Sequence, residues 1–313
     1  MKDLSSMKRR GSILILTLVI IMSLAGLTLD LSNQSGLSLA LCGFSRDAFL
    51  ARQAARAGVQ VAMERLASDT DKEVDSLDEQ WADFGSMPMP DGLPEGIEAR
   101  GRILDESGKL NLNTLLNEKG EIDEKMKARL VRLFRALDLG EEKAAPILDW
   151  LDSDDIERMD GAESYYYQGL DAPHACSNGP FMTAGQISLV KGMGELLSGK
   201  DVRDYVTVYG DGKVNINTAS TEVLQSLSDK FDVRIAEAIV EHRKTSIFQI
   251  PEDLKKIPGM DDTIYSGVSS WVTVRSSAFS IDMEGACSGV TSVVRAVAQR
   301  EKDGMRLIYW RVQ

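Results

Sequence analysis

The sequence predicts an α+β fold. A long N-terminal helix crosses a membrane and packs on a small antiparallel sheet, and a large, mostly helical insertion interrupts that sheet. Three observations carry this prediction. The run from Gly11 to Leu29 holds no charge. A block in the middle of the chain occurs twice, as KLNLNT at 109–114 and KVNINT at 213–218. The C-terminal end alternates apolar and polar residues in three segments, the last two joined by Lys302-Asp303-Gly304.

At 1.5 Å per residue, roughly 18–20 helical residues cross a bilayer's hydrocarbon core. Residues 12–29, including Ile13, Leu16 and Leu29, meet that length. Lys2, Lys8, Arg9 and Arg10 precede the run and hold its start in the cytoplasm, which places the rest of the chain outside. A secretory signal peptide is the alternative, but no A-x-A cleavage pattern follows the run. Farther along, Ala51, Ala55, Gly58, Val59, Ala62, Met63 and Leu66 recur at spacings of three and four, which marks one apolar stripe. One helix is therefore expected over 12–66, about 80 Å long. Residues 67–108 then hold a loop, rich in Asp, Pro and Gly from Asp69 to Pro94, and a first strand at Ile97–Leu104.

The helical insertion is expected over 109–260, as two related units at 109–193 and 213–260. Each begins with Lys-x-Asn-x-Asn-Thr, continues as a helical pattern, and ends loosely alike, Gly179–Met193 against Ile247–Met260. Residues 261–313 are expected to supply the remaining strands, Phe279–Met283, Thr291–Arg300 and Met305–Val312, with the Lys-Asp-Gly turn as hairpin signal.

Two resemblances follow from these residues. Lys8-Arg9-Arg10-Gly11 before an uncharged helix resembles the class III signal of type IV pilins and type II secretion pseudopilins. That resemblance implies a leader over 1–11, cut by a prepilin peptidase after Gly11, with Ser12 as the methylated first residue. Ser12 replaces the usual Phe or Met, and Leu16 stands where most pilins carry Glu. In the body, Gly108–Thr114, Ile147–Asp155, Gly161–Tyr166, Asn178–Pro180, Leu189–Met193 and Val214–Ala219 together resemble minor pseudopilin K of type II secretion, which typically lacks that Glu. The family implies a pilin-like domain with a helical insertion and a place at the pseudopilus tip. It also implies an inner-membrane, single-pass protein with a periplasmic body. Expected partners are other minor pseudopilins and the major pseudopilin, with the outer-membrane channel or the exported protein as further contacts. A minor pilin of a type IV pilus is the close alternative.

The repeated units also resemble helix-hairpin-helix and SAM-like modules, which makes a DNA-binding competence protein the alternative from another class. Such hairpins hold phosphate on glycine backbone N–H groups. Here Ser228–Val233 has no glycine, and Pro258-Gly259-Met260 is followed by Asp261 and Asp262. The chain's net charge is −12, or −15 once residues 1–11 are removed, and phosphate affinity comes from Lys and Arg. No nucleic-acid partner is expected.

Asp149, Asp152, Asp154, Asp155, Asp160, Glu163 and Asp171 crowd into one loop. Hard oxygen ligands suit Ca²⁺. An EF-hand register from Asp152 fails, because Ile156 and Glu157 fall at its fifth and sixth positions. A solvated acidic loop is the other reading. The pseudopilin K resemblance implies calcium, with Asp152, Asp154, Asp155, Asp160, Glu163 and Asp171 as candidate ligands. Cys176 and Cys287 are candidates for a disulfide in an oxidising compartment, or are two unpaired thiols; Cys42 has no evident mate. Gly194–Asp201 departs from a P-loop at Asp201, where Ser or Thr would hold Mg²⁺. No catalytic constellation is evident, and His174 and His242 read as structural or surface residues. An enzyme is not expected.

Overall fold

The computed structural model describes residues 4–69, 71–86, 94–194, 199–302 and 304–313, with side chains from residue 13 onward. One helix, α1, runs over Leu4–Ala67. The side chains of Gly11 and Ser12 lie outside the described residues, as does part of the P-loop-like stretch.

The first strand, β1, covers Ile97–Asp105, and three more close the chain: β6 at Ala278–Cys287, β7 at Val290–Glu301 and β8 at Gly304–Val312. They form one antiparallel sheet in the order β1-β6-β7-β8. Strand alternation explains its faces. Phe279, Ile281 and Met283 of β6, with Val294, Ala296 and Ala298 of β7, point at the helix and are buried. They pack against Ala55, Val59, Ala62 and Leu66 of α1, and Trp81 closes the core edge-on to Phe279 at 5.1 Å. Small residues on this helix face let its backbone come close to the sheet.

The insertion leaves the sheet after Asp105 and returns at Ala278. Its first unit holds β2 (Leu110–Asn111), α2 (Glu124–Ala136), α3 (Ala144–Leu151), α4 (Ser164–Gln168) and β3 (Val206–Thr207). Its second holds β4 (Val214–Asn215), α5 (Thr221–Ser226), α6 (Val233–Arg243), α7 (Asp262–Val268) and β5 (Val272–Thr273). The expected boundary at 260 is thus corrected. Tyr265, Val268, Val272 and Val274 belong to the insertion's core and not to the sheet.

Each unit is closed by a two-residue parallel pairing, β2 with β3 and β4 with β5. The repeated asparagines explain how. Asn111 and Asn215 each turn the backbone by accepting from the N–H two residues on. Asn113 accepts from Phe181 N at 2.8 Å and donates to Phe181 O at 2.9 Å. Asn217 does the same with Phe248, at 2.9 and 3.0 Å. The two sequence blocks are therefore two copies of one clamp that ties the start of each unit to its distal turn.

Both units are anchored to the sheet through acids at the end of β1. Asp105 Oδ2 accepts from Ser276 Oγ at 2.6 Å and Thr218 Oγ1 at 2.5 Å. Glu106 accepts from Thr207 Oγ1 at 2.5 Å, Ser280 Oγ at 2.7 Å and Lys109 Nζ at 2.9 Å. Asp75 joins from the loop after α1, accepting from Ser276 N at 2.7 Å and Arg300 at 2.5 Å. Burial raises Asp105 to about 6, against the pull of these donors.

Candidate functional site

Two features stand out, and α1 is the first. Ile13, Leu16 and Leu29 are 61%, 60% and 67% exposed, and the large apolar residues between them are exposed too. The helix is long and apolar enough there to cross a membrane. Contact with the body starts near Asp47 and becomes continuous from Ala51, which is fully buried. One helix therefore presents an uncovered apolar half and a half packed on the sheet.

The second feature is the acidic loop after α3. Asp149 is fully buried and binds Arg158 through Oδ1 at 2.7 Å, while its Oδ2 accepts from Ala162 N at 2.8 Å. Gly161 makes room for this, since a Cβ there would lie 1.8 Å from Asp149 Oδ2. Arg158 also binds Asp152 Oδ2. Behind this ion pair, carboxylate oxygens of Asp152, Asp154 and Glu163 lie within 4.8 Å of one another. Among the described residues, Asp152 Oδ1, both oxygens of Glu163 and Asn178 Oδ1 are buried without a close hydrogen-bond partner, the Cys176 thiol being the weakest influence on Glu163. Burial, and then the charges of Asp149, Asp152 and Asp155, push the Glu163 carboxyl up to about 7. Burial likewise raises Asp152, against the neighbouring Arg158. Asn178 donates to Asp154 O and Asp155 Oδ1 at 3.3 and 3.2 Å, which draws Asp155 to the edge of the group.

Of the six carboxylates expected to act together, the structure groups Asp152, Asp154 and Glu163, with Asp155 beside them. Asp160 and Asp171 are exposed and lie outside the group. Asp160 instead makes a left-handed turn at φ 67°, with its carbonyl 3.5 Å from Lys191 Nζ. Sequence reasoning missed Arg158 and Asn178. The half-buried Asn178, at φ 45° in the Ser-Asn-Gly turn, had a signal there.

The expected Cys176–Cys287 bond is not present, and all three cysteines are free. Cys176 is buried in the insertion, 3.7 Å from Asp149 O. Cys287 ends β6 beside Asp47 of α1. The insertion joins β6 at its other end, roughly 30 Å away at 3.3 Å per residue. A disulfide needs Cα atoms within about 7 Å. A second acidic group, Asp69, Asp75 and Glu79, was not anticipated; Arg300 pairs with its first two members. His174 packs against Tyr167 and His242 against Phe248, each at 5.0 Å between ring centres.

Comparison with known proteins agrees with this architecture. The family model described as type II secretion system (T2SS), protein K matches residues 108–211. A helix-hairpin-helix motif model matches residues 210–273. The two matches meet where the two units of the insertion meet. Type II secretion system protein K of Pseudomonas aeruginosa is 32% identical over 247 residues, covering 75% of this chain and 70% of that protein. The protein of the same name from Aeromonas hydrophila is 27% identical over 332 residues, covering 95% of each. A chain in the crystal structure of the GspK-GspI-GspJ complex from enterotoxigenic Escherichia coli shares the fold. Its TM-score is 0.69 at 16% identity, over 88% of this chain and 99% of that one.

A long apolar helix laid on an antiparallel sheet, with a two-unit helical insertion, defines a pilin-like subunit of an export or pilus machine. The insertion and the relatives narrow the class. The chain belongs to the type II secretion system protein K family, the minor pseudopilins of type II protein secretion. A type IV minor pilin and a DNA-binding competence protein are not favoured by these matches.

Proposed function

We propose that this minor pseudopilin is anchored in the bacterial inner membrane by residues 12–29, with its body in the periplasm. It caps the pseudopilus together with other minor pseudopilins, above the major pseudopilin, and acts as a structural part with no catalysis of its own. The observation that carries this reading is the division of α1. Its apolar half is exposed from Ile13 onward, and its second half is buried on the sheet from Ala51. Assembly with partners has support in the solved complex, in which the related protein is joined with GspI and GspJ. The outer-membrane channel and the exported protein are the contacts a cap would meet.

Processing by prepilin peptidase follows from Lys8-Arg9-Arg10-Gly11. Mass spectrometry of chain extracted from membranes should find a methylated N-terminus at Ser12. A terminus at or beyond Asp30 would restore the secretory reading and sink this one.

Calcium fits the acidic loop. Four buried oxygens without partners, on Asp152, Glu163 and Asn178, need a cation or a proton, because an unmet buried acceptor is costly. Asp152, Asp154 and Glu163 would hold the ion, with Asp155 and Asn178 next to it. Its charge would tie the segment after α3 to the start of α4 and to the Asn178 turn.

A further inference from the structure

An open cleft of about 760 Å³ lies in the neck between the insertion and the β7–β8 end of the sheet; Asp211, Lys213, Thr273, Arg275, Ser277 and Lys302 are among its walls. A smaller recess beside it shares Arg275 and Lys302 and adds Lys72. The whole chain carries −12, yet the uncommitted charge here is positive. Lys72, Lys213, Arg275 and Lys302 are exposed, and among the described residues none has an ion-pair partner. The neighbouring acids do not offset this charge: one is ion-paired, and Asp211, which bonds only neutral groups, opposes one of the four cations. Glu301 binds Arg306 at 2.7 Å. Asp211 Oδ1 accepts from Lys213 N at 3.1 Å and Ser277 Oγ at 3.5 Å.

The repeat shows that these cations are not demanded by the fold. Lys213 occupies the position in the second unit that Lys109 has in the first. Lys109 is satisfied by Glu106 at 2.9 Å, whereas Lys213 has no ion-pair partner among the described residues and lines the cleft. Arg275 follows Trp271-Val272-Thr273-Val274, as Tyr209 follows Tyr205-Val206-Thr207-Val208. The first unit thus closes with an aromatic residue where the second places a free guanidinium.

The occupant is anionic, and its class follows from position and shape. Leu66, at the rim of the recess, stands roughly 55 Å along α1 from Leu29, at 1.5 Å per helical residue. That is far beyond the reach of a lipid headgroup at the membrane end. The four cations come from four separate segments and are divided over the cleft and the adjoining recess, so they suit an extended run of carboxylates better than one compact anion. The chain's distant carboxylates do not cancel this local field, since screening acts within about 8 Å at physiological salt.

We propose that this cleft receives an acidic segment of a partner polypeptide, with neighbouring Asp or Glu side chains paired to Lys213, Arg275 and Lys302. The test uses the full chain in neutral detergent and an octaglutamate peptide carrying an uncharged dye, read by fluorescence anisotropy. The peptide should bind in low salt and be released as salt rises. K213Q/R275Q should weaken binding by about tenfold or more, equivalent to about 1.4 kcal/mol. K255Q/K256Q, at lysines that line neither opening and are already paired with Asp262 and Asp253, should bind as the unmutated chain does. R275Q alone, at an exposed side chain, gives a second reading if the double variant melts early. Three results would overturn the proposal: no binding at millimolar peptide, equal loss in both double variants, or displacement of the peptide by equimolar inorganic phosphate. None of them bears on the inner-membrane placement, which the Ser12 terminus tests separately.

Discussion

Gly285 lies flat against Ala51. A Cβ at Gly285 would stand 2.0 Å from Ala51 O and 2.6 Å from Ala55 N, so this glycine sets how closely β6 approaches α1. The contact sits where the helix first becomes continuously buried, and it joins the uncovered apolar half of α1 to the body. Gly285→Ala should therefore push the helix off the sheet. Overpacking of this kind costs about 1–3 kcal/mol, and the blocking atoms are backbone. Gly43→Ala, with nothing within 4 Å of its Cβ, is the control and should be neutral or slightly stabilising. Thermal unfolding of both variants in detergent checks this. Equal melting temperatures would show that the close approach is not needed.

The paired asparagines predict a second effect. Asn217 is 1% exposed, and it satisfies both backbone groups of Phe248. Asn217→Ala leaves an N–H and a carbonyl buried without partners, which costs about 1–3 kcal/mol for each orphaned group. Asn113→Ala should act in the same way on the first unit, through Phe181. Hydrogen exchange should show faster exchange at Phe248 N in the first variant and at Phe181 N in the second. Unchanged protection would mean that water replaces the amide.

These asparagines also show what was legible. The spacing Lys-x-Asn-x-Asn-Thr revealed a repeat, but not its purpose, because the partner of Asn113 lies 68 positions away. The apolar half of α1 was readable from its long uncharged run, and the four long strands from an alternation repeated over many residues. The end of the insertion was misplaced because α7 has only seven residues and β5 only two, too short for a period to show. The repeated Val-Thr-Val at 206–208 and 272–274 held the missing signal. In the acidic loop, composition found the carboxylates but could not sort them. Folding sorts them: Arg158 and Gly161 close on Asp149 beside the buried Asp152 and Glu163, while Asn178 reaches Asp154 and Asp155.

Calcium should raise the melting temperature of the chain relative to EDTA, since a ligand bound only to the folded state contributes about 2.7 kcal/mol at 100 times its Kd. Asp152→Asn and Glu163→Gln should reduce that increment, and Asp171→Asn should not. The increment should also depend on pH. Glu163, raised from 4.5 to about 7, stabilises the metal-free fold when protonated. That contribution is present below about 4.5 and is lost as pH rises through about 7. Calcium competes with this proton, so its increment should be large above pH 7 and shrink towards pH 5. Asp105, raised to about 6, adds a similar slope with or without calcium, so the difference between the two melts is the quantity to read. A constant difference across that range would remove Glu163 from the ligand set.

The last prediction concerns Leu16. Pilin-like subunits that carry Glu at this position can pair it with the N-terminal amine of the subunit before them. An intramembrane carboxylate is costly unless it has such a partner. Leu16 is apolar and 60% exposed on the uncovered half of α1, so it brings no carboxylate and no such pairing. The Ser12 amine that the proposed cleavage would free could still receive the glutamate of a subunit that joins below. The asymmetry predicts about one copy per filament, at the end that grows away from the membrane. Leu16→Glu supplies a carboxylate to pair with a subunit above, so the variant should enter the shaft where its carboxylate finds an amine, and should lose membrane stability where it does not. Gold labelling of sheared pseudopili decides between the models. Label at one end for the unmutated chain, and along the shaft or absent for the variant, is the expected outcome. Unmutated chain spread along the shaft would refute the tip placement, because a subunit without the glutamate would then be entering internal positions by some other contact.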